Sequence, residues 1–246
     1  MKTAVCVVIG AGLLIGLGQA RAGTIYNYQA NLIPENHSGV TGLALFTLNG
    51  NLLTMRLQAS GLTPNQIHMD HLHGLLGTAA PATTLPPPSA DINHDGYIES
   101  AEAAPFAGPP LFGTPMSITP LTYPVATAAG TISYTETYDI TDGALYDPDH
   151  LGLSLTPADI LGLTGGNTVP LIDRIFELHG EIVPAGIDGT PDQGNGFGYH
   201  PDMPVAGARL VLLASAVPEP WSLGLICIGI AGLVGLRRRA KGRPLT

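Results

Sequence analysis

Three of the chain's eight histidines and one aspartate stand within six positions, in the run Ile67-His68-Met69-Asp70-His71-Leu72-His73-Gly74. On an extended strand side chains alternate between faces, so His71 and His73 share a face with their roots about 7 Å apart. Two imidazoles placed this way can begin a transition-metal site, or a buried cluster whose histidines bond each other and nearby carbonyls. His179 and His200 add two candidate ligands for such a metal. Alternation puts Ile67 and Met69 on the face of His71 and His73, so that face is expected to meet the core. On the later run Phe176 to Ile182, the residues Phe176, Leu178, Gly180 and Ile182 take the core face, leaving His179 beside Glu177 and Glu181 on the other. Simple alternation therefore separates His179 from the first pair, and a bulge would be needed to unite them. A hydrogen-bonded cluster is accordingly preferred over a shared metal.

The second constellation is Asp91-Ile92-Asn93-His94-Asp95-Gly96-Tyr97-Ile98-Glu99-Ser100-Ala101-Glu102. It has the spacing of a twelve-residue EF-hand calcium loop. Asp91, Asn93 and Asp95 hold positions 1, 3 and 5, and Gly96 supplies the sharp turn at 6. Tyr97 offers its carbonyl at 7, Glu99 acts at 9, and Glu102 gives a bidentate carboxylate at 12. Calcium takes six to eight hard oxygens, which this spacing wraps around one point. Leu85-Pro86-Pro87-Pro88 precludes an entering helix, while a short exiting helix from Ser100 to Ala104 is expected to stop at Pro105. A lone, half-framed loop is expected to act as a structural clip, with calcium as the cofactor. It resembles dockerin-type loops in lacking the entering helix, but the paired repeats needed for cohesin binding are absent.

These residues must be positioned by strands. With 32 Gly, 22 Pro and few aromatic or charged residues, short strands joined by turns fit better than long helices. Strand-like runs cover Thr24 to Ile33, Val40 to Leu48, Leu52 to Leu62, the histidine run, Thr131 to Ile140, Arg174 to Val183 and Gly207 to Ala214. In the third, Leu53, Met55, Leu57 and Ala59 alternate with Thr54, Arg56, Gln58 and Ser60, as in a half-buried antiparallel strand. Asn49-Gly50-Asn51 is a hairpin signal, and Thr156-Pro157 opens a short helix. The proline-rich stretch 78–125 reads as an insert carrying the loop 91–102.

Between Arg21 and Arg237 only Arg56, Arg174 and Arg209 face all 19 acidic residues, a formal charge of about −16. That excludes a nucleic-acid partner, which requires a basic face, and suits a calcium-rich exterior or basic partners. The two cysteines, Cys6 and Cys227, lie in the end segments, so the body relies on its core or on metals. No Ser/His/Asp or Cys/His arrangement and no phosphate-binding glycine loop stands out.

The ends read as addresses. Residues 1–22 have the layout of a signal peptide: Lys2, an apolar run from Val5 to Leu17, and Ala20-Arg21-Ala22 before the cut. At the other end Val217-Pro218-Glu219-Pro220 precedes an apolar run from Trp221 to Leu236 and then Arg237-Arg238-Arg239. Sixteen helical residues span about 24 Å, a marginal membrane anchor with a positive-inside end. This arrangement resembles the PEP-CTERM sorting signal. The resemblance implies exosortase-type sorting machinery as partner, transient membrane anchoring through the C-terminal helix, and export to the envelope, outer surface or extracellular matrix of a Gram-negative bacterium. Exopolysaccharide or other surface proteins are further expected partners.

The body, 23–215, resembles the CHRD domain. The matching residues are Thr41-Gly42-Leu43-Ala44-Leu45-Phe46, Leu62-Thr63 through His68, His71-Leu72-His73-Gly74 with Gly77, Phe176 to Ile182, and Pro204-Val205-Ala206-Gly207. The resemblance implies an all-β, antiparallel immunoglobulin-like sandwich without established enzymatic activity, from which the calcium insert departs. With the ends it gives a three-part chain: signal peptide 1–22, domain 23–215, and sorting signal with hydrophobic helix 216–246. The expected function is a non-enzymatic, exported binding or structural domain that takes calcium. The alternative is a secreted metalloprotein using His71, His73, His179 and His200, with superoxide-dismutase-like or other redox activity. Against dismutase chemistry stand the missing body cysteines and the lack of a second histidine run.

Overall fold

The computed structural model describes residues 24–77, 83–163 and 167–216. The expected signal peptide with Ala22, and the hydrophobic helix with Val217 to Pro220, lie outside the described residues. Within them strands predominate: β1 (Ile25–Pro34), β2 (Thr41–Asn49), β3 (Leu52–Ser60), β4 (Asp70–His73), β5 (Pro110–Gly113), β6 (Ser117–Ile118), β7 (Leu121–Thr122), β8 (Thr131–Asp139), β9 (Ile175–Pro184), β10 (Phe197–Arg209) and β11 (Val211–Ala216). Two short helices accompany them, α1 (Ser100–Ala107) and α2 (Pro157–Leu161).

One antiparallel sheet runs β5-β4-β9-β10-β1-β2-β3-β8, with β11 also pairing β1, and β6–β7 form a separate ribbon. The sheet curls so that strands far apart in its order share a core. Phe46 on β2 meets Phe176 on β9 edge-on at 5.5 Å, and Phe112 on β5 meets Tyr138 on β8 at 6.0 Å. β3 shows why the pattern works: Leu53, Met55, Leu57 and Ala59 are buried while Leu52, Arg56, Gln58 and Ser60 are exposed. The β2–β3 turn places Gly50 at φ +60°, which glycine adopts without steric cost.

Two elements differ from the sequence expectation. The stretch after Pro105 is not merely a connection, because β5 pairs with β4 inside it. Pro110 starts this edge strand, a position where a missing N–H costs no ladder bond. Helix α1 also continues through Pro105 to Ala107. Ala103 and Ala107, one turn apart, are both buried, and Gly108 at φ +75° donates its N–H to the Ala104 carbonyl and closes the end.

Arg174 leads into β9 and is 2 % exposed. Its guanidinium donates to the carbonyls of Ile160 (3.0 Å), Asp173 (3.1 Å) and Asp159. Burial pulls it down to about 10. The cation thus satisfies the end of α2, a helix of five residues whose start is fixed by a Thr156–Asp159 capping box. Arg174→Met keeps the length but leaves these buried acceptors unpaired, at about 1–3 kcal/mol each. The variant is expected to lose about 3 kcal/mol of stability or more, read as a lower urea midpoint with unchanged slope.

Candidate metal centre

β4 and β9 pair in the register Asp70 to Leu178, His71 to Glu177, Leu72 to Phe176 and His73 to Ile175. Residues opposite each other in an antiparallel pair point to the same side. Leu72, Phe176 and Leu178 therefore enter the core, and His71 and His73 emerge on the other face together with Glu177 and His179. The expectation that Ile67 and Met69 mark the core side of the histidine strand is overturned: Ile67 is exposed, and Leu72 is fully buried in the core. No bulge is needed to unite the imidazoles, because β9 turns Phe176 and Leu178 to the core as expected and only β4 is inverted; beyond Gly180 the expected core residue Ile182 is exposed and Val183 is buried instead.

The three rings converge. Centroids lie 5.9 Å apart for His71 and His73, 5.1 Å for His71 and His179, and 5.4 Å for His73 and His179. One ligating atom from each falls within 4.8 Å of those of the others. All three side chains are buried. His73 faces the Gly108 carbonyl through Nδ1 at 3.0 Å, and His179 faces the Asp202 carbonyl through Nδ1 at 2.9 Å. A carbonyl only accepts, so each Nδ1 carries the proton and each Nε2 is left with its lone pair. Those two Nε2 atoms point at one another across 3.3 Å. The Nε2 of His71 meets the Tyr123 hydroxyl at 3.2 Å, and its Nδ1 is buried without a hydrogen-bond partner.

Glu177 completes the group. Its Oε2 is 3.4 Å from Nε2 of His73 and 3.9 Å from Nε2 of His179. Tetrahedral ligands on bonds of 2.0–2.1 Å stand about 3.3–3.4 Å from each other, so the His73–His179 and His73–Glu177 spacings suit two pairs of ligands around one ion. Burial pushes the imidazoles down, His73 to about 4 and His179 to about 3, with His71 also well below its ordinary range; the neighbouring rings add to this for His71 and His179. They are therefore neutral, the form that ligates metal. Burial pushes the Glu177 carboxyl up to about 8, a shift that a bound cation would reverse.

The other expected residues fall elsewhere. His200 stands outside the cluster, 3.3 Å from Asp188 through its Nε2. His68 is buried behind His179, facing its carbonyl at 2.9 Å and that of Thr63 at 3.0 Å. Glu177 is the functional candidate missed as a ligand, although its two-residue spacing from His179 on one strand was the available signal. Tyr123 and Asp202 had no such signal, since they reach the site from a proline-rich connection and from an irregular stretch of β10.

In the loop 91–102 the acidic side chains accept from the loop's own amides. Asp91 takes Asp95 N–H at 3.2 Å and Gly96 N–H at 3.1 Å, Asn93 takes Asp95 N–H at 2.9 Å, and Asp95 takes Tyr97 N–H at 2.9 Å. Glu102 accepts from Ile92 at 2.8 Å and Asn93 at 3.2 Å, tying the last position to the second and third. Gly96 sits at φ +91°. The amide of Asn36 pins the loop to the body, accepting from Ile98 N–H at 2.7 Å and donating to its carbonyl at 3.0 Å. Glu99 is buried, and its Oε1 accepts from Asn93 Nδ2 at 3.3 Å.

Comparison with known proteins bears on the C-terminus. The model of the PEP-CTERM protein-sorting motif matches residues 216–239. The motif implies recognition by exosortase sorting machinery and an exported, cell-envelope-associated bacterial protein. No curated protein matches the chain. Among the described residues no helix is long and apolar enough to cross a membrane.

Gly180, next to His179, has φ +108°, and a Cβ there would run into the Tyr199 hydroxyl and approach Nδ1 of His68 to 3.0 Å. Gly180→Ala is expected to cost about 2 kcal/mol or more and to displace His179, seen as a lower thermal midpoint and as altered imidazole resonances in NMR.

Proposed function

We propose that this protein is an exported metalloprotein of the bacterial envelope whose β domain holds a transition metal on His71, His73 and His179, with Glu177 beside it. The observation that carries this reading is the 3.3 Å approach of Nε2 of His73 to Nε2 of His179, with the Nδ1 of each ring against a carbonyl that assigns the proton there. Two lone pairs at that distance repel unless a proton or a cation lies between them. The carbonyls on the far nitrogens orient the rings as outer partners of metal-bound histidines do. The donor set, imidazoles with one carboxylate, suits zinc, copper or iron rather than calcium. The body's resemblance to the CHRD domain, its immunoglobulin-like sandwich reading and a Gram-negative source belong to the same proposal.

Titration of metal-free full-length protein with cobalt(II) or zinc is expected to show one ion bound per chain. His73→Ala and His179→Ala are expected to weaken binding by more than the roughly 100-fold loss seen for outer-shell changes. His200→Ala is expected to leave it unchanged. Wild-type affinity in both ligand variants would refute the centre.

A second reading concerns the loop 91–102, which is proposed to bind calcium as a clip. It is supported by the Asp91, Asn93, Asp95 and Glu102 side chains already folded inward on the loop's backbone, and by its attachment through Asn36. Asp91→Ala and Glu102→Ala are expected to abolish calcium heat in calorimetry while the β-sheet spectrum survives. Equal uptake by both variants and the wild type would remove the assignment.

A further inference from the structure

We infer that the cavity against the metal centre takes a small apolar molecule bearing a hydroxyl or amine donor. The inference rests on the metal reading of His71, His73 and His179.

A cavity of about 320 Å³ lies against the centre, with His73 and Glu177 among its lining residues. These two are 5 % and 1 % exposed, so they form its inner end. Glu177 directs Oε2 toward the histidines, while its Oε1 is buried and has no hydrogen-bond partner. A buried carboxylate oxygen left unpaired is costly, and a donor entering the cavity would relieve that cost. The rest of the wall is mainly apolar, including Ala103 and Ala104 of α1, Pro109 and Leu151. This favours a ligand with an apolar body.

Charge narrows the class further. Glu177 and Asp149 are the ionisable acids on the wall, and no lysine or arginine lines it. A bound divalent ion would be offset by these two carboxylates, leaving no surplus positive charge to draw an anion, whereas a hydroxyl or amine would find an acceptor in Glu177. The proposed ligand is therefore a donor rather than a carboxylate or phosphate.

The test uses full-length protein loaded with cobalt(II), whose visible bands report on coordination, titrated with phenol, benzylamine or benzoate. Phenol, benzylamine or both are expected to shift the bands saturably, and benzoate at equal concentration is not. Which of the two donors acts more strongly separates hydroxyl from amine recognition. Ala104→Phe, which fills the cavity from α1, is expected to weaken the response at least about tenfold while the ligand-free cobalt bands stay as in the wild type. Leu151→Trp, at an exposed wall position, carries the same expectation and replaces Ala104→Phe if that variant loses its bands. Bound cobalt with no response to either donor, benzoate acting as strongly as they do, or an unaltered response in the filled variant would overturn the inference alone. Failure to take up cobalt would overturn the metal reading and the inference with it.

Discussion

Both faces of β4 are buried, and they carry different chemistries. All four of its residues are inaccessible. One face sends Leu72 against Phe176 and Leu178 into the apolar core, while the other sends His71 and His73 toward Glu177 and His179. A four-residue strand has little burial of its own to contribute, so its register depends on pairing β9 on one side and β5 on the other. A slip of one residue would put imidazoles into the core and Leu72 among the polar groups. Asp70 shares the core side and is tolerated there because the Tyr134 hydroxyl donates to it; burial nonetheless pushes the Asp70 carboxyl up to about 8.

The second face is roofed by segments that approach from outside the main strand ladder. Gly108, at the end of α1, supplies the carbonyl to His73; Tyr123 supplies its hydroxyl to His71; and Asp202, in the irregular middle of β10, supplies the carbonyl to His179. The Asp202 carbonyl also accepts from Ser100 at 3.2 Å. The first residue of α1 and a candidate ligand are thus held by one oxygen. Because α1 begins within the loop 91–102, the proposed calcium clip and the candidate metal centre share their scaffold. A loop that fixes α1 also fixes one wall of the cavity beside Glu177.

The chemistry of the body fits an exported protein. No cysteine lies in it, and its surface is strongly acidic. Cross-linking would then fall to metal ions, which restrain a chain without redox dependence when the ion is calcium or zinc. The acidic exterior also means that the histidine site gets its character from burial and neutral imidazoles rather than from surrounding positive charge.

The sequence alone determined the strand pattern where one face is wet. In β3 the alternation of Leu53, Met55, Leu57 and Ala59 with polar residues reports directly which side meets the core. It also determined the C-terminal sorting motif, which is linear and needs no fold to be read. The orientation of β4 was decided only by tertiary structure. Met69, His71 and His73 on one face, and Asp70 and Leu72 on the other, carry no clear polarity difference once a proline-rich insert covers the second face, so periodicity has nothing to report. Pairing β4 to β9 set its sides, and with them the meeting of His71, His73, Glu177 and His179 across more than a hundred residues of chain. The same limit hid β5 and the contributions of Tyr123 and Asp202. Each acts through a partner far away in sequence, and local residue spacing carries no information about such a partner.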